Sequence, residues 1–300
     1  MAATTLSNIN FQSEVWRYTL AGEFTDRLEF LNSGVLADAG SAVSTMDKGY
    51  TVAIPKWNTL SGDSVQIIDS LTTTVNSLAN YKDIAVWCER EKAWGADQMV
   101  KVVSSNDPMG EAARQIAEYL AVELHKQALA TLSGVFSVEL ATTHSTGNDH
   151  IGSTIDTAAV LAAKQKLGDS QSELTEALLH SKVYQDALSN GLIANQVFNV
   201  SNEMYRTGMI GNMLGMRPRM TDKLAAVSDV YPSYFAAPGA MIYKFRERPV
   251  SIQTNANITR VNAGNLIADI ELYRSALASG GQDILILRYS ALTHVPGVYF

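Results

Sequence analysis

Tyr50-Thr-Val-Ala-Ile-Pro55, the stretch from Trp57 to Tyr81, and Lys82-Asp-Ile-Ala-Val-Trp-Cys-Glu-Arg90 together decide how this chain is built. The two outer runs have period two, the spacing of strands. Tyr50, Val52 and Ile54 share one face of the first, with Thr51 and Ala53 on the other. In the second, Ile84, Val86 and Cys88 lie opposite Asp83, Ala85, Trp87 and Glu89. Pro55 has no amide proton for a ladder, so its strand ends there or lies at an edge. The 25 residues from Trp57 to Tyr81 contain no Lys or Arg. The whole reads as a polar, extended hairpin standing out from a body. An isolated hairpin is marginal in water, and two ribbons cannot bury both faces alone. A neighbouring copy that covers residues 57–80 resolves the difficulty, which points to assembly rather than catalysis.

Downstream, Pro108 to about Leu132 is predicted as a long helix. Asp107 suits the N-cap, Pro108 the first helical position, and Glu111 the positive end of the dipole. Ala112, Ala113, Ile116, Leu120, Leu124, Ala128 and Leu132 recur at steps of three and four. At 1.5 Å per residue the helix spans roughly 37 Å, and Ser133-Gly134 is its expected end.

Elsewhere Glu23–Ala37 has the spacing of a short amphipathic helix, followed by a linker-like Gly40-Ser-Ala-Val-Ser-Thr. Asp156 caps an expected helix to Leu167. Glu176–His180 reads as a buried strand, and Ser181–Leu188 as a helix stopped by Asn190-Gly191. Residues 202–214 have helical spacing broken by Gly208 and Gly211. Strands are expected at Met216–Met220, Met241–Phe245, Val250–Gln253, Leu266–Leu272, Asp283–Tyr289 and Leu292–Val295. Helices and strands mix without a regular β-α repeat, which argues an α+β fold.

Composition narrows the function. Of 300 residues, 46% are hydrophobic and only 18% charged, against a usual charged quarter. That leaves neutral surface for contacts between subunits, or simply a larger buried fraction. The net charge is −7. The first 30 residues carry Glu14, Glu23, Asp26 and Glu29 against Arg17 and Arg27. A protein gripping nucleic acid by its phosphates needs clustered Lys and Arg, so sequence-specific or condensing contacts are not expected. Cys88 is the single cysteine, which excludes an internal disulfide and suits synthesis in a reducing cytoplasm. No signal peptide, transmembrane run or membrane partner is expected.

Catalytic patterns are weak. His144, Asp149 and His150 lie in a Thr/Ser/Gly/Asn loop without ligand spacing that fixes a geometry, so no metal or cofactor is expected. Gly208-x-x-Gly211-x-x-x-Gly215 lacks the Lys-Ser/Thr ending of a phosphate loop. There is no Gly-x-Ser-x-Gly elbow, and Cys88 beside Trp87 reads as a small apolar side chain. Trp87 and Trp94 are expected in a small core at the hairpin's base. Trp57, in the projecting part, is a candidate anchor on a neighbour. Lys56 and Leu60 flank it. The charge alternations Glu89-Arg90-Glu-Lys92 and Arg246-Glu-Arg248 are either solvated faces or ion pairs between subunits. The contact candidates are therefore Lys56, Trp57, Leu60, Glu89, Arg90, Arg246 and Arg248.

Gly49-x-Thr-Val-x-Ile-Pro-x-Trp-Asn-x-Leu-x-Gly-Asp, Lys82-Asp-Ile-Ala-Val, Lys92-Ala-Trp and Asp107-Pro-Met resemble the major capsid proteins of tailed double-stranded DNA bacteriophages. So do Leu178-Leu-His-Ser-Lys-Val-Tyr-x-x-Leu-x-x-x-Gly-Leu-Ile193 and Gly280-Gly-Gln-Asp-Ile-Leu-Ile-Leu-Arg288 with His294-x-Pro-Gly-Val298. The order of these blocks carries the resemblance more than any one of them. It implies a Hong Kong 97-type fold with four parts. These are an N-terminal arm (1–49), an extended loop (50–90), a peripheral domain with a spine helix (91–152 and 246–300) and an axial domain (153–245). It implies self-assembly into pentamers and hexamers that form an icosahedral head around double-stranded DNA. Scaffolding, portal and cement proteins would be separate partners, with assembly in the host cytoplasm and a final place in the virion. Fewer than 50 residues precede the hairpin, so a scaffold is expected as a separate chain. Some relatives join subunits through a loop lysine and an asparagine. The outer loop has no lysine, and Lys56 and Lys82 sit at its roots, so a non-covalent shell is expected. A bacterial nanocompartment (encapsulin-like) shell around cargo protein shares the fold and is the alternative. A soluble enzyme is the alternative from another class.

Overall fold

The computed structural model describes residues 33–97, 108–138, 143–146, 153–193, 212–247, 258–275 and 282–296, apart from 42, 44–48, 59, 61, 65, 67–74, 76, 225, 227–228 and 264–265. Its centre is a seven-stranded sheet. The strands are β1 (Leu36–Asp38), β2 (Thr51–Trp57), β3 (Asn80–Asp97), β7 (Met241–Arg246), β8 (Ile258–Ala263), β9 (Leu266–Ser275) and β10 (Gln282–His294). β10 is the axis of this sheet. β3 runs antiparallel along one of its edges from Asp97 to Trp87. Along the other edge β9 pairs with its first part and β7 with its last. β8 extends β9, and β1 lies parallel to β7.

Helix α1 (Pro108–Val138) packs on this sheet. Ile116, Leu120, Leu124, Ala128 and Leu132 are buried as their spacing requires, and they meet Leu285, Leu287, Tyr289 and Ala291 of β10. Trp94 of β3 stacks edge-on against Tyr119, ring centroids 5.1 Å apart. Polar groups add register: Gln127 Nε2 donates to the Ala291 carbonyl at 3.2 Å, and the Thr131 and Thr293 hydroxyls lie 2.9 Å apart. The helix runs past Ser133-Gly134 to Val138. A helical Gly costs about 1 kcal/mol, but Val135 is 1% exposed and Phe136 packs on the core, which offsets it. Asp107, the expected cap, lies outside the described residues.

A smaller body carries its own core. Helix α2 (Thr157–Gln165) begins where Asp156 accepts the Ala159 amide at 2.7 Å, and a 3-10 turn (Gly168–Glu173) follows. β4 (Glu176–Leu179), buried throughout, lies between β5 (Arg217–Met220) and β6 (Tyr234–Ala236). Helix α3 (Ser181–Ser189) follows β4, and Leu192, Ile193, Met213 and Met216 fill the space beneath. Arg219, partly buried, pairs with the buried Glu176 at 2.8 Å across β4 and β5.

Several expectations change. Leu36 and Ala37 form a strand on β7, and residues 33–35 a turn before it, not the end of a helix; the rest of that expected helix, 23–32, lies outside the described residues. Residues 212–214 are not helical. Met213 and Met216 exchange backbone bonds of 2.9 and 3.0 Å around Leu214-Gly215, at φ +50° and +93°, a two-residue hairpin turn. Residues 202–211 and the strand expected at Val250–Gln253 are outside the described residues. The two strands expected at 283–289 and 292–295 are the single β10. β7, assigned from sequence mostly to the axial segment, belongs to the large sheet.

Candidate functional site: the hairpin and its root

β3 is one strand with two partners. From Trp87 to Asp97 it pairs with β10, and from Asn80 to Val86 it pairs with β2. The hairpin therefore leaves the sheet between Val86 and Trp87. Opposite residues of an antiparallel pair share a face. Val52–Ala85 and Ile54–Asp83 face the body, and Thr51–Val86, Ala53–Ile84, Pro55–Lys82 and Trp57–Asn80 face away.

The inward face closes a small core of Val52, Ala85, Trp87, Ala39, Val43 and Leu292, with Ile54 and Ile242 at its margin. Trp87 lies here as expected. Trp94 lies instead on the α1 side of the sheet, because the two residues have opposite parity along β3. The polar residue of this face meets a second polar residue. Asp83 Oδ1 lies 3.0 Å from His294 Nε2, and both side chains are 3% exposed.

The outward face leaves apolar side chains exposed beside Thr51, Asn80 and Lys82. Ile84 is 46% exposed, Val86 51%, Trp57 59% and Leu60 85%. Among the described residues, seven of the ten large apolar side chains left exposed lie between Tyr50 and Val86. Soluble chains rarely leave so concentrated an apolar surface without a use for it.

The contact candidates separate accordingly. Trp57 and Leu60 stand on the exposed part, and Lys56 is half-buried opposite Tyr81. Arg90 is exposed on β3. Arg246 is buried in its own subunit. Its Nη2 donates to Glu89 Oε1 at 3.3 Å, Nη1 to the Gly49 carbonyl at 2.6 Å and Nε to Ser290 Oγ at 3.1 Å, with the Trp87 ring 4.7 Å away. Glu89 is thus engaged within the chain. Arg248 lies outside the described residues. The sequence put Ile84 and Val86 on one face without assigning it outward. The signal was available only through pairing, since Val52 claims Ala85 for the core.

Beside the hairpin, Arg288 of β10 bonds Glu91 of β3 and Glu271 of β9, tying three strands. On the smaller body, His180 Nδ1 accepts the Lys182 amide at 3.1 Å and so caps α3. Ser181 and Asp222 beside it satisfy the same helix end. This is capping, not an arrangement of nucleophile and base. His144 bonds Thr143 at 2.8 Å, and Asp149 and His150 lie outside the described residues. Among the described residues no three His, Cys, Asp or Glu gather as metal ligands.

Comparison with known proteins follows the same line. The chain superposes on the capsid protein of cyanophage Pam1 with a TM-score of 0.56 at 14% identity, covering 84% of this chain and 82% of that one. The capsid of Ralstonia phage GP4 gives a TM-score of 0.55 at 10% identity, with coverage of 84% and 80%. The major capsid protein of Bacillus phage SPP1 is 27% identical over 304 residues, covering all of this chain and 87% of the relative. Residues 64–263, two thirds of the chain, match the family described as Gp13-like, Major capsid protein 13-like. The chain belongs to this family of tailed-phage major capsid proteins, whose copies form the capsid shell, and its α+β fold is of the Hong Kong 97 type.

Proposed function

We propose that copies of this chain close into pentamers and hexamers, and that the hairpin of one copy lies over the next. The observation that carries this reading is the apolar outward face of the hairpin. Covering each exposed Ile, Val or Trp side chain contributes on the order of 1–2 kcal/mol. One such overlap is modest, but a closed ring repeats it at every subunit. Trp57 and Leu60 are its anchors, with Lys56 and Arg90 at the rim. The peripheral domain takes 91–152 and about 241–300, the axial domain 153–240, and residues 1–49 form the arm. This moves β7 out of the axial part, in keeping with its pairing. The shell encloses double-stranded DNA without reading its sequence, consistent with a net charge of −7. Scaffolding, portal and cement functions belong to other chains, and assembly takes place in the host cytoplasm. The chain has no catalytic role.

Electron microscopy and sedimentation of the purified chain test the reading. Rings and shells are expected for the wild type, and dispersed subunits for Ile84→Asp combined with Trp57→Ser. A wild-type chain that remains a monomer in the presence of its partners overturns it.

A further inference from the structure

We propose that the root of the hairpin is a hinge held by two polar clasps, with Arg246 and the Asp83–His294 pair as positioning residues for assembly. This rests on the reading that the hairpin covers a neighbour. The hinge follows from the strand pairing. The β3–β10 ladder ends at Trp87 and the β2–β3 ladder begins at Val86. Only Trp87 is held on both sides, opposite Leu292 in one ladder and with its amide on the Tyr50 carbonyl at 2.7 Å. From Val86 outward β3 has β2 alone, so beyond that single bond the angle between hairpin and sheet is set by side chains.

The clasps bracket that point on one face of β3. On the body side, Arg246 ties the Gly49 carbonyl, where the chain enters β2, to Glu89 of β3 and Ser290 of β10. Its planar fork meets these acceptors in different directions, which a lysine ammonium cannot do from one position. On the hairpin side, Asp83 meets His294 near the end of β10. Trp87, Leu292, Val52 and Ala85 fill the space between. The apolar cluster supplies attraction without direction, whereas the Arg246 hydrogen bonds supply direction and the Asp83–His294 contact a second point of attachment. An arm fixed before contact spends less ordering entropy on docking. The clasps thus preset the hairpin in a docking pose.

The test uses the full chain, kept unassembled at low concentration, as wild type, Arg246→Lys and Asp83→Asn. Hydrogen exchange is followed at amides 51–57 and 80–86 and, separately, at 284–292. Each variant is expected to speed exchange in the hairpin by about tenfold and in β10 by less than about twofold. Glu89→Gln removes one partner of the guanidinium and serves if either variant fails to fold; about threefold is expected, in the hairpin alone. Equal acceleration of hairpin and β10 overturns the proposal, because the groups then serve overall stability. Unchanged hairpin exchange overturns it as well. Particle yield is scored afterwards. Loosened hairpins with undiminished yield would leave the clasps standing and remove the reading that the hairpin covers a neighbour.

Discussion

The two halves of β3 have the same backbone and the same alternation, yet they obey different rules. From Trp87 to Asp97 the strand lies on β10, and Trp94 is packed against Tyr119 of α1. From Asn80 to Val86 it has β2 on one side, and its Ile84 and Val86 face solvent while Asp83 and Ala85 face in. In the body half, apolarity marks the interior of the subunit. In the hairpin half, the larger apolar residues mark the outside of the subunit, which in the proposed overlap is the interior of the assembly. On that reading hydrophobic patterning reports burial in the particle, not in the single chain.

The sharpest way to break this contrast is to compare a body residue with a hairpin residue. Leu124 of α1 is 1% exposed. Leu124→Ala is expected to cost about 3 kcal/mol of folding stability, read from the denaturant midpoint of the unassembled chain. Ile84→Asp is expected to change the same midpoint by less than about 0.5 kcal/mol, yet to abolish particles. Comparable losses from both variants would mean that the hairpin face is ordinary core.

Arg288 sharpens the contrast within the sheet. It is partly exposed and joins β3 to β9 through β10, while Glu271 is nearly buried. Truncation by Arg288→Ala removes one charged donor from that carboxylate. A loss of about 1–2 kcal/mol is expected for a partly exposed hydrogen bond between charged groups. Amides of β9 should exchange faster while those of β2 stay unchanged. Acceleration confined to β2 would contradict the division of β3 into two halves.

A smaller, pH-dependent effect belongs to the joint between the helix and the smaller body. His125 of α1 lies 3.1 Å from the Thr221 hydroxyl. Burial, with help from the Lys223 charge, holds its pKa below the ordinary 6.5. The unfolded chain therefore binds the proton more readily than the folded one. Its contribution is fully present above pH 6.5 and declines as pH falls through that value toward the folded-state pKa, with a slope of at most about 1.4 kcal/mol per pH unit. Below the folded pKa the loss levels off. The His125→Gln variant should show a shallower decline between pH 7 and 5 when both are titrated with denaturant. Parallel curves would place the acid sensitivity elsewhere.

How much of this was legible follows from how local each signal is. The stripe from Ile116 to Leu132 needs only helical spacing, and it is buried as read. β4 and its following helix were equally readable, because Asn190-Gly191 stops the helix and Gly191 takes φ +69°. The end of α1 was not, since burial of Val135 outweighs a local Gly. Ser290-Ala291 looked like a break between two strands. Instead Ser290 accepts from Arg246, and Ala291 is wedged between Phe245 and Cys88 in the ladder. β1 and β6 are three residues each and held by distant partners, and their pattern alone does not distinguish them. The root of the hairpin joins Gly49, Asp83, Glu89, Arg246, Ser290 and His294, so no window of sequence contains it.

The smallest expected effect is no effect at all, and it concerns how a hairpin covered as proposed is secured. A covalent weld between subunits needs a lysine whose ammonium loses its proton in a desolvated site beside an amide carbon. The projecting segment from Trp57 to Tyr81 has none. Lys56 stands opposite Tyr81 on the face turned toward the body, half-buried. Lys82 is exposed beside Pro55, at the root rather than the tip. Lys56 is turned toward its own body, and Lys82 lies on the outward face but near the root; the proposed covering of Ile84, Val86, Trp57 and Leu60 supplies attraction without a bond. Mature particles boiled in detergent with reductant should therefore run as one band at the mass of a single chain. Lys56→Arg and Lys82→Arg should leave both that band and the heat stability of the particles unchanged. A ladder of multimers that survives reduction, and that vanishes with either substitution, would show that the root lysines reach an asparagine on the next subunit and that the hairpin is welded as well as packed.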